Sequence, residues 1–434
     1  LRRLMTQKEY DQLMAGGFCA YPFHNIRNSS TRGYIPCCWS RKIKDPITGE
    51  KDETYRRDPI NATPIKGWFD GDYQTHIRRA MLAGDVDDSL LGFMCSRCKE
   101  REIGTGTSPR LMKTTKKLAE LITSSFDDTG KIKNRNHRFL SLQLNIWGLP
   151  CNLECIGCNP ADSTTRYNRV KSLSVETVGM LVNKELSFFE KSLDLVDIKK
   201  RDKNQFYNII EEIVDNIDIV SHISLCGGEP MLMTNHFELL DAIIASGHAK
   251  HISLDYVSNM TLFTLKKMKK YIDAFKSIDI QWSIDGIGSV NNYLRYPTNW
   301  DSTLENVRLI REYFSSTGKG ILRATFTPSN LSILSMKETF EFLESEGLKV
   351  RDVNGQFEVY NRLENPKILR PNNLPVAIKN KIKNDIRSIN ESVYYDLIEE
   401  SGIGKWEELK SYLDDLDASR GTSWRDIFPL LANY

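Results

Sequence analysis

The chain lacks what would mark a membrane, fibrous or disordered protein. No apolar run approaches the ~20 residues that a spanning helix needs. The opening Leu1-Arg2-Arg3-Leu4-Met5 has no apolar core of a secretory signal. Cytoplasmic localisation without a membrane partner is the expectation, and a start at Leu rather than Met reads as a trimmed chain. Internal repeats and low-complexity tracts are absent. Charge of one sign is absent too: 59 Lys and Arg against 57 Asp and Glu leave +2, so a nucleic-acid groove, which carries a basic surplus, is not expected. What remains, 434 residues of which 40% are hydrophobic, suits a globular protein. At roughly 100–200 residues per domain it has room for two or three.

Also missing is the even cysteine set of a disulfide framework. Nine cysteines stand at 19, 37, 38, 95, 98, 151, 155, 158 and 226, odd in number and locally clustered. Clustered thiols without an export signal point to metal binding or redox chemistry. The tightest group is Cys151-Asn152-Leu153-Glu154-Cys155-Ile156-Gly157-Cys158, a C-x3-C-x2-C run after an apolar, strand-like stretch at 139–146. Such a loop at a strand's C-terminal end brings three thiolates to one point. They cannot complete a four-iron cube, because each iron takes its own ligand, so one iron stays open to a non-protein ligand. Tetrahedral zinc would want a fourth Cys or His nearby, and none follows within thirty residues.

This loop resembles that of the radical S-adenosylmethionine (radical SAM) superfamily, with one departure at Gly157, where that family commonly has a bulky residue. The resemblance implies a [4Fe–4S] cluster on Cys151, Cys155 and Cys158, with SAM chelated at the open iron. It implies reductive cleavage of SAM to methionine and a 5′-deoxyadenosyl radical that abstracts hydrogen from substrate. The reductant would be a flavodoxin or ferredoxin.

Later positions agree. His222-Ile223-Ser224-Leu225-Cys226-Gly227-Gly228-Glu229-Pro230 reads as a strand entering a glycine turn, where backbone can approach a ligand closely. The resemblance gives Gly227, Gly228 and Glu229 the SAM amino group. Further strands are expected at 251–259, 278–286, 320–327 and 355–360. The resemblance makes Asn259, Ser283 and Asp285 contacts to SAM at strand ends. Arg323 lies inside a strand and needs a partner, either the SAM carboxylate or an internal ion pair. Cys226 reads as core packing. Between the strands, apolar residues recur at helical spacing over 206–218, 237–246, 264–275, 303–314 and 336–346. Strand–helix alternation implies parallel pairing. The expected fold is α/β, a partial (β/α)6 TIM-like barrel over 138–365, after a connector at 111–137 and before a helical extension at 366–434. That extension should dock through its Trp and Phe.

Residues 1–110 carry five cysteines and no strand–helix alternation, the pattern of a small irregular domain. Cys95 and Cys98 form a C-x2-C knuckle; Cys19 and one of Cys37 and Cys38 complete four thiolates, which suit zinc or iron–sulfur alike. With Pro36-Cys37-Cys38, Gly67-Trp68, His76 to Gly84, Glu100 and Ser108-Pro109-Arg110, the region resembles a SPASM/twitch auxiliary-cluster module placed ahead of the core. The resemblance implies an auxiliary [4Fe–4S] cluster on Cys19, Cys37, Cys95 and Cys98, Cys37 being favoured by alignment on Pro36, in an electron-transfer or structural role. It makes a peptide or protein side chain the first substrate hypothesis. A sugar or other small molecule undergoing dehydrogenation or epimerisation is the second. A non-catalytic zinc-binding interaction protein is the reading from another class.

Overall fold

The computed structural model describes residues 5–29, 33–35, 37, 67, 69–144, 150–160, 163–182, 203–348, 363, 366–399 and 405–434. One seven-stranded sheet organises them, in the order β2-β1-β3-β4-β5-β6-β7. The strands are β1 (Asn25–Ser29), β2 (Gly33–Ile35), β3 (Leu140–Leu144), β4 (Val220–Leu225), β5 (Ser253–Ser258), β6 (Ser277–Ile284) and β7 (Gly320–Phe326). β1 and β3 to β7 are parallel, and β2 runs antiparallel on the β1 edge. Six parallel strands with helices between β3 and β7 make the partial TIM-like barrel.

Its core follows the strand period. In β6 every second residue is buried, and Ile278, Ile280, Trp282 and Ile284 are each at most 1% exposed, Trp282 stacking on Trp300 of the covering helix. Burying one such side chain contributes about 1.5–3 kcal/mol. At the start of β7, a Cβ on Gly320 would stand 2.0 Å from the Ile278 carbonyl oxygen, so that close strand approach requires glycine. The helices between strands occupy Lys203–Asp215, Thr234–Ala245, Leu265–Ala274 and Trp300–Thr317, and Met336–Ser345 follows β7. Trp300–Thr317 starts one turn before the expected 303, because the Asn299 side chain caps it by accepting from Ser302 N. The Gly318 C-cap adopts a left-handed φ of 66°.

The stretch expected for the sixth core strand, 355–360, lies outside the described residues. Among the described residues a further parallel strand, β1, stands on the far side of β3, pairing Asn25, Ile26 and Arg27 with Ser141, Leu142 and Gln143. The N-terminal region is therefore built into the barrel sheet. Asn-Ile-Arg-Asn-Ser is too polar and short to announce a buried strand; of its residues Ile26 enters the hydrophobic core. A ring sequence Phe18, Phe23, Phe126, Phe139 continues that core. The buried Arg78 guanidinium fastens it, donating to the Gly130 and Phe69 carbonyls at 2.7 Å while lying 4.3 Å from the Phe69 ring centre.

After β7, helices Val376–Ile389, Glu391–Ile398 and Lys405–Arg420 form the C-terminal extension. The tail docks as expected: Trp424 and Phe428 are 1% and 4% exposed, and Phe428 packs edge-on against Tyr293. Among the described residues, no helix is long and apolar enough to cross a membrane.

Candidate active site

The cysteine loop leaves the C-terminal end of β3 and is tied down on several sides. Glu154 N donates to the Tyr296 carbonyl at 2.6 Å and Ile156 N to that of Leu294 at 2.8 Å, so the loop pairs with the segment after helix Gly288–Leu294. The Asn259 amide, just past β5, donates to Asn152 Oδ1 at 3.0 Å and approaches Cys151 Sγ at 3.9 Å. From outside, Arg420 donates to the Glu154 carbonyl. The buried Arg166 reaches the Ile156 carbonyl and Tyr412 Oη, at 3.4 and 2.5 Å. Helix Lys405–Arg420 thus braces the loop.

The three thiols open on a cavity of about 250 Å³ at the C-terminal ends of the strands. Gly227 and Gly228 after β4, Asn259 after β5, and Ser283 and Asp285 at the end of β6 line the same space, so the structure brings these sequence-predicted residues together. Gly227 adopts φ 150°, which a side chain would disfavour.

Two predicted residues are not among those that line the cavity. Glu229 is 1% exposed and absent from the cavity wall. Its carboxylate accepts from Ser258 Oγ and Asn259 N at 2.9 Å and Met231 N at 3.3 Å, while its own N–H donates to the Pro150 carbonyl at 2.8 Å. Glu229 thereby braces the glycine turn against the cysteine loop, and burial pushes its carboxyl pKa up. Arg323 sits in mid-β7 opposite Gln281, on the face of Thr325 but not among the residues that line the cavity.

The cavity's guanidinium is Arg295, which sequence reasoning missed. Its Nη1 meets Asp285 Oδ2 at 2.8 Å, both side chains 14% exposed. Burial alone would lower its pKa, but Cys155 and Asp285 beside it more than offset this, so it is raised. No periodicity or motif separates Arg295 from the other cations of the chain. The hydroxyls of Thr325, Thr327 and Ser329 after β7 were also missed.

Two observations test whether a cluster and SAM fit here. Arg295 Nε and Thr325 Oγ1 are buried without a hydrogen-bond partner, and both residues line the cavity, which suits a polar ligand. Burial, with Cys155 adding, pushes the Cys151 thiol up to about 11, and burial raises Cys155 despite the opposing pull of Arg295. Thiolates in such a site need added positive charge, which ligated iron provides.

A second, smaller cavity is ringed by Cys19, Cys37, Cys95 and Cys98, with Tyr21 and Arg110. Cys38 lies outside the described residues. Burial, with Cys95 adding, pushes the Cys19 thiol well up, and burial with Cys37 takes Cys95 to about 12. Cys226 packs at the end of β4 with Sγ 3.8 Å from the Leu144 carbonyl. Among the described residues, no three His, Cys, Asp or Glu side chains converge closely enough to hold one metal ion. The two thiol sets also lie at opposite ends of the sheet. Phe23, four residues after Cys19, packs on Phe126 and through it on Phe139, just before β3, whereas Cys151 follows β3.

Residues 148–328 match the model of the Radical SAM superfamily. Among solved structures, native anSMEcpe with bound AdoMet aligns at 16% identity and TM-score 0.29, covering 48% of this chain and 49% of that one. Streptococcus suis SuiB aligns at 15% identity and TM-score 0.33, covering 78% and 71%. SuiB bound to precursor peptide SuiA aligns at 16% identity and TM-score 0.34, covering 73% and 64%. This chain thus spans less than half of the anSMEcpe chain's length. No curated protein matches it. The matched segment carries the C-x3-C-x2-C loop, the glycine turn and the strands β4 to β7 that close on one cavity, so residues 148–328 match a superfamily that uses a [4Fe–4S] cluster and SAM.

Proposed function

We propose that the cavity at the C-terminal ends of β3 to β7 cleaves SAM reductively and directs the product radical at a peptide or protein side chain. One observation carries the first half: Cys151, Cys155 and Cys158 share a cavity with Gly227, Gly228, Asn259, Ser283 and Asp285. The three cysteines would hold the cluster. The glycine turn would present backbone groups to the SAM amino group, and Arg295, a cation beside Asp285, would take its carboxylate. Bound by Cys151, Cys155 and Cys158, the cluster would supply the one electron needed for reductive C–S cleavage of SAM and, through it, hydrogen abstraction from substrate. The chain's own residues hold, orient and enclose: Asn259 and Glu229 fix the loop, and the Thr325–Thr327–Ser329 hydroxyls supply further polar contacts.

The second thiol ring would hold an auxiliary [4Fe–4S] cluster. The resemblance of residues 1–110 to auxiliary-cluster modules favours iron–sulfur over zinc at these four thiols. Four ligands leave no iron open, which supports electron transfer or a structural role. The peptide assignment rests on the resemblance of residues 1–110 to auxiliary-cluster modules. The reductant would be a small one-electron carrier of the flavodoxin or ferredoxin class.

The test is anaerobic reconstitution followed by dithionite reduction with SAM. Wild type should release 5′-deoxyadenosine and methionine, and Cys155→Ala should release none. Unchanged cleavage by Cys155→Ala would remove the mechanism. Deuterium transferred into 5′-deoxyadenosine from a labelled peptide, but from no sugar, separates the substrate classes.

A further inference from the structure

Around the second thiol ring stands a charged frame that the four cysteines do not account for. Arg110 lines that cavity. Its Nε and Nη2 donate to the two Glu102 oxygens at 3.0 and 2.6 Å, and its Nη1 donates to the Met14 and Phe18 carbonyls at 3.0 and 3.1 Å. Ser108 Oγ donates to Glu102 as well. Phe18 directly precedes Cys19, and Glu102 sits one turn after Cys98 on helix Ser96–Thr105. One planar guanidinium therefore joins the two stretches that bring Cys19 and Cys98 together. The Arg110 backbone N–H adds a hydrogen bond to Cys98. The resemblance pointed to Glu100 in this segment; the residue that meets Arg110 is Glu102.

We propose that Arg110, held by Glu102 and Ser108, is the positioning residue of the auxiliary cluster: it locks the Cys19 segment to the Cys98 helix and presents positive charge that raises the cluster's reduction potential. This rests on the reading of the second thiol ring as a cluster site. The pair is oriented, since Arg110 lines the cavity and Glu102 stands outside its wall. Reduction adds one electron to the cluster and makes no bond, so a cation at the wall favours the reduced form. Removing Arg110 leaves Glu102 unopposed, and removing the Glu102 charge leaves Arg110 unopposed. The two changes should move the potential in opposite directions, which a merely structural role cannot do. Lys keeps the charge but loses the fork.

The experiment is an EPR-monitored titration of the reconstituted full chain with dithionite, reading the signal that added SAM leaves unchanged. Arg110→Gln should shift its midpoint downward and Glu102→Gln upward, with Arg110→Lys near wild type and the SAM-sensitive signal unmoved throughout. Midpoints that stay put, or that shift the same way in both Gln variants, overturn the charge role. If Arg110→Gln binds no auxiliary iron, retention by Arg110→Lys supports the lock and the direction in Glu102→Gln decides the charge role. Loss of auxiliary iron in both Arg110 variants, with normal helical content, would mean that the lock needs the fork itself. Failure of the cluster reading shows earlier, in wild type: about four irons per chain instead of about eight, and no iron lost on Cys98→Ala.

Discussion

Arg295 places a guanidinium in the cavity wall beside Asp285. Replacing Arg295 by Met removes the partner of Asp285 from a contact of 2.8 Å between side chains that are both 14% exposed. Removing one member of a largely buried pair costs about 3–5 kcal/mol, because the remaining charge stays desolvated. Residual solvent access at both groups places the expected cost near ~3 kcal/mol, readable as a lower urea midpoint for the apo chain. The double variant Arg295→Met, Asp285→Asn removes both charges, and its cost should be roughly 1 kcal/mol. Asp285→Asn alone closes the cycle, and the coupling is the double-variant cost less the two single costs. The functional effect is separate. A hydrogen bond to a charged group contributes about 1.5–3 kcal/mol, so loss of the guanidinium should weaken SAM binding by about 10- to 100-fold. Equilibrium dialysis of labelled SAM against the reconstituted protein measures this directly. Arg323→Met, which removes a guanidinium that does not line the cavity, should bind SAM within about twofold of wild type. Normal binding by Arg295→Met with weak binding by Arg323→Met would refute the assignment and restore the reading that sequence alone suggested.

Other outcomes follow from the same geometry. Cys95→Ala should lose about four of roughly eight irons yet retain part of the dithionite-driven SAM cleavage, since the cavity of Cys151, Cys155 and Cys158 does not include it. Arg420→Ala removes a brace on the Glu154 carbonyl. It should cost ~1–3 kcal/mol and speed chelator extraction of core iron, leaving auxiliary iron unchanged. Acid should destabilise the fold through two buried histidines. Burial lowers His24 to about 4 and His236 to about 3, while unfolded histidine titrates near ~6.5. Below ~6.5 the unfolded chain binds protons first, so stability present at neutral pH falls by up to ~1.4 kcal/mol per pH unit for each, until the folded values are reached. Thermal melts between pH 7 and 5 should show this slope, and His236→Gln should flatten it by about half. An unchanged slope in that variant would exclude His236 as a source.

The parts legible in sequence were those fixed by local spacing. The C-x3-C-x2-C loop, the Gly227–Gly228 turn and the alternating burial of β6 each depend on residues within a few positions of one another, and strand ends of a parallel sheet converge by construction. Illegible were the parts set by contacts distant in the chain. β1 is stabilised by its neighbour β3 more than 110 positions away, so its polar sequence carried no strand period. Arg295 becomes the cavity's cation through the course of the loop after helix Gly288–Leu294, while Arg323, two residues before Thr325 on the same strand face, lies below the residues that line the cavity. Glu229 was expected among the ligand contacts because of its motif. Its contacts to Ser258 and Asn259 required knowing where β5 ends.

The pairing of β1 with β3 also constrains what the second thiol ring can do. Asn25 pairs with Ser141, three residues before β3 ends, and three strand residues rise about 10 Å. Cys19 precedes β1 and Cys151 follows β3, so the two rings stand toward opposite ends of these paired strands. Electron relay and structural support both fit that placement. The choice between these two has a clear readout. With a protein reductant, a relay predicts that Cys95→Ala slows SAM cleavage far more than it does with dithionite, which can reduce the core cluster without an intermediary. A structural role predicts equal slowing with both reductants.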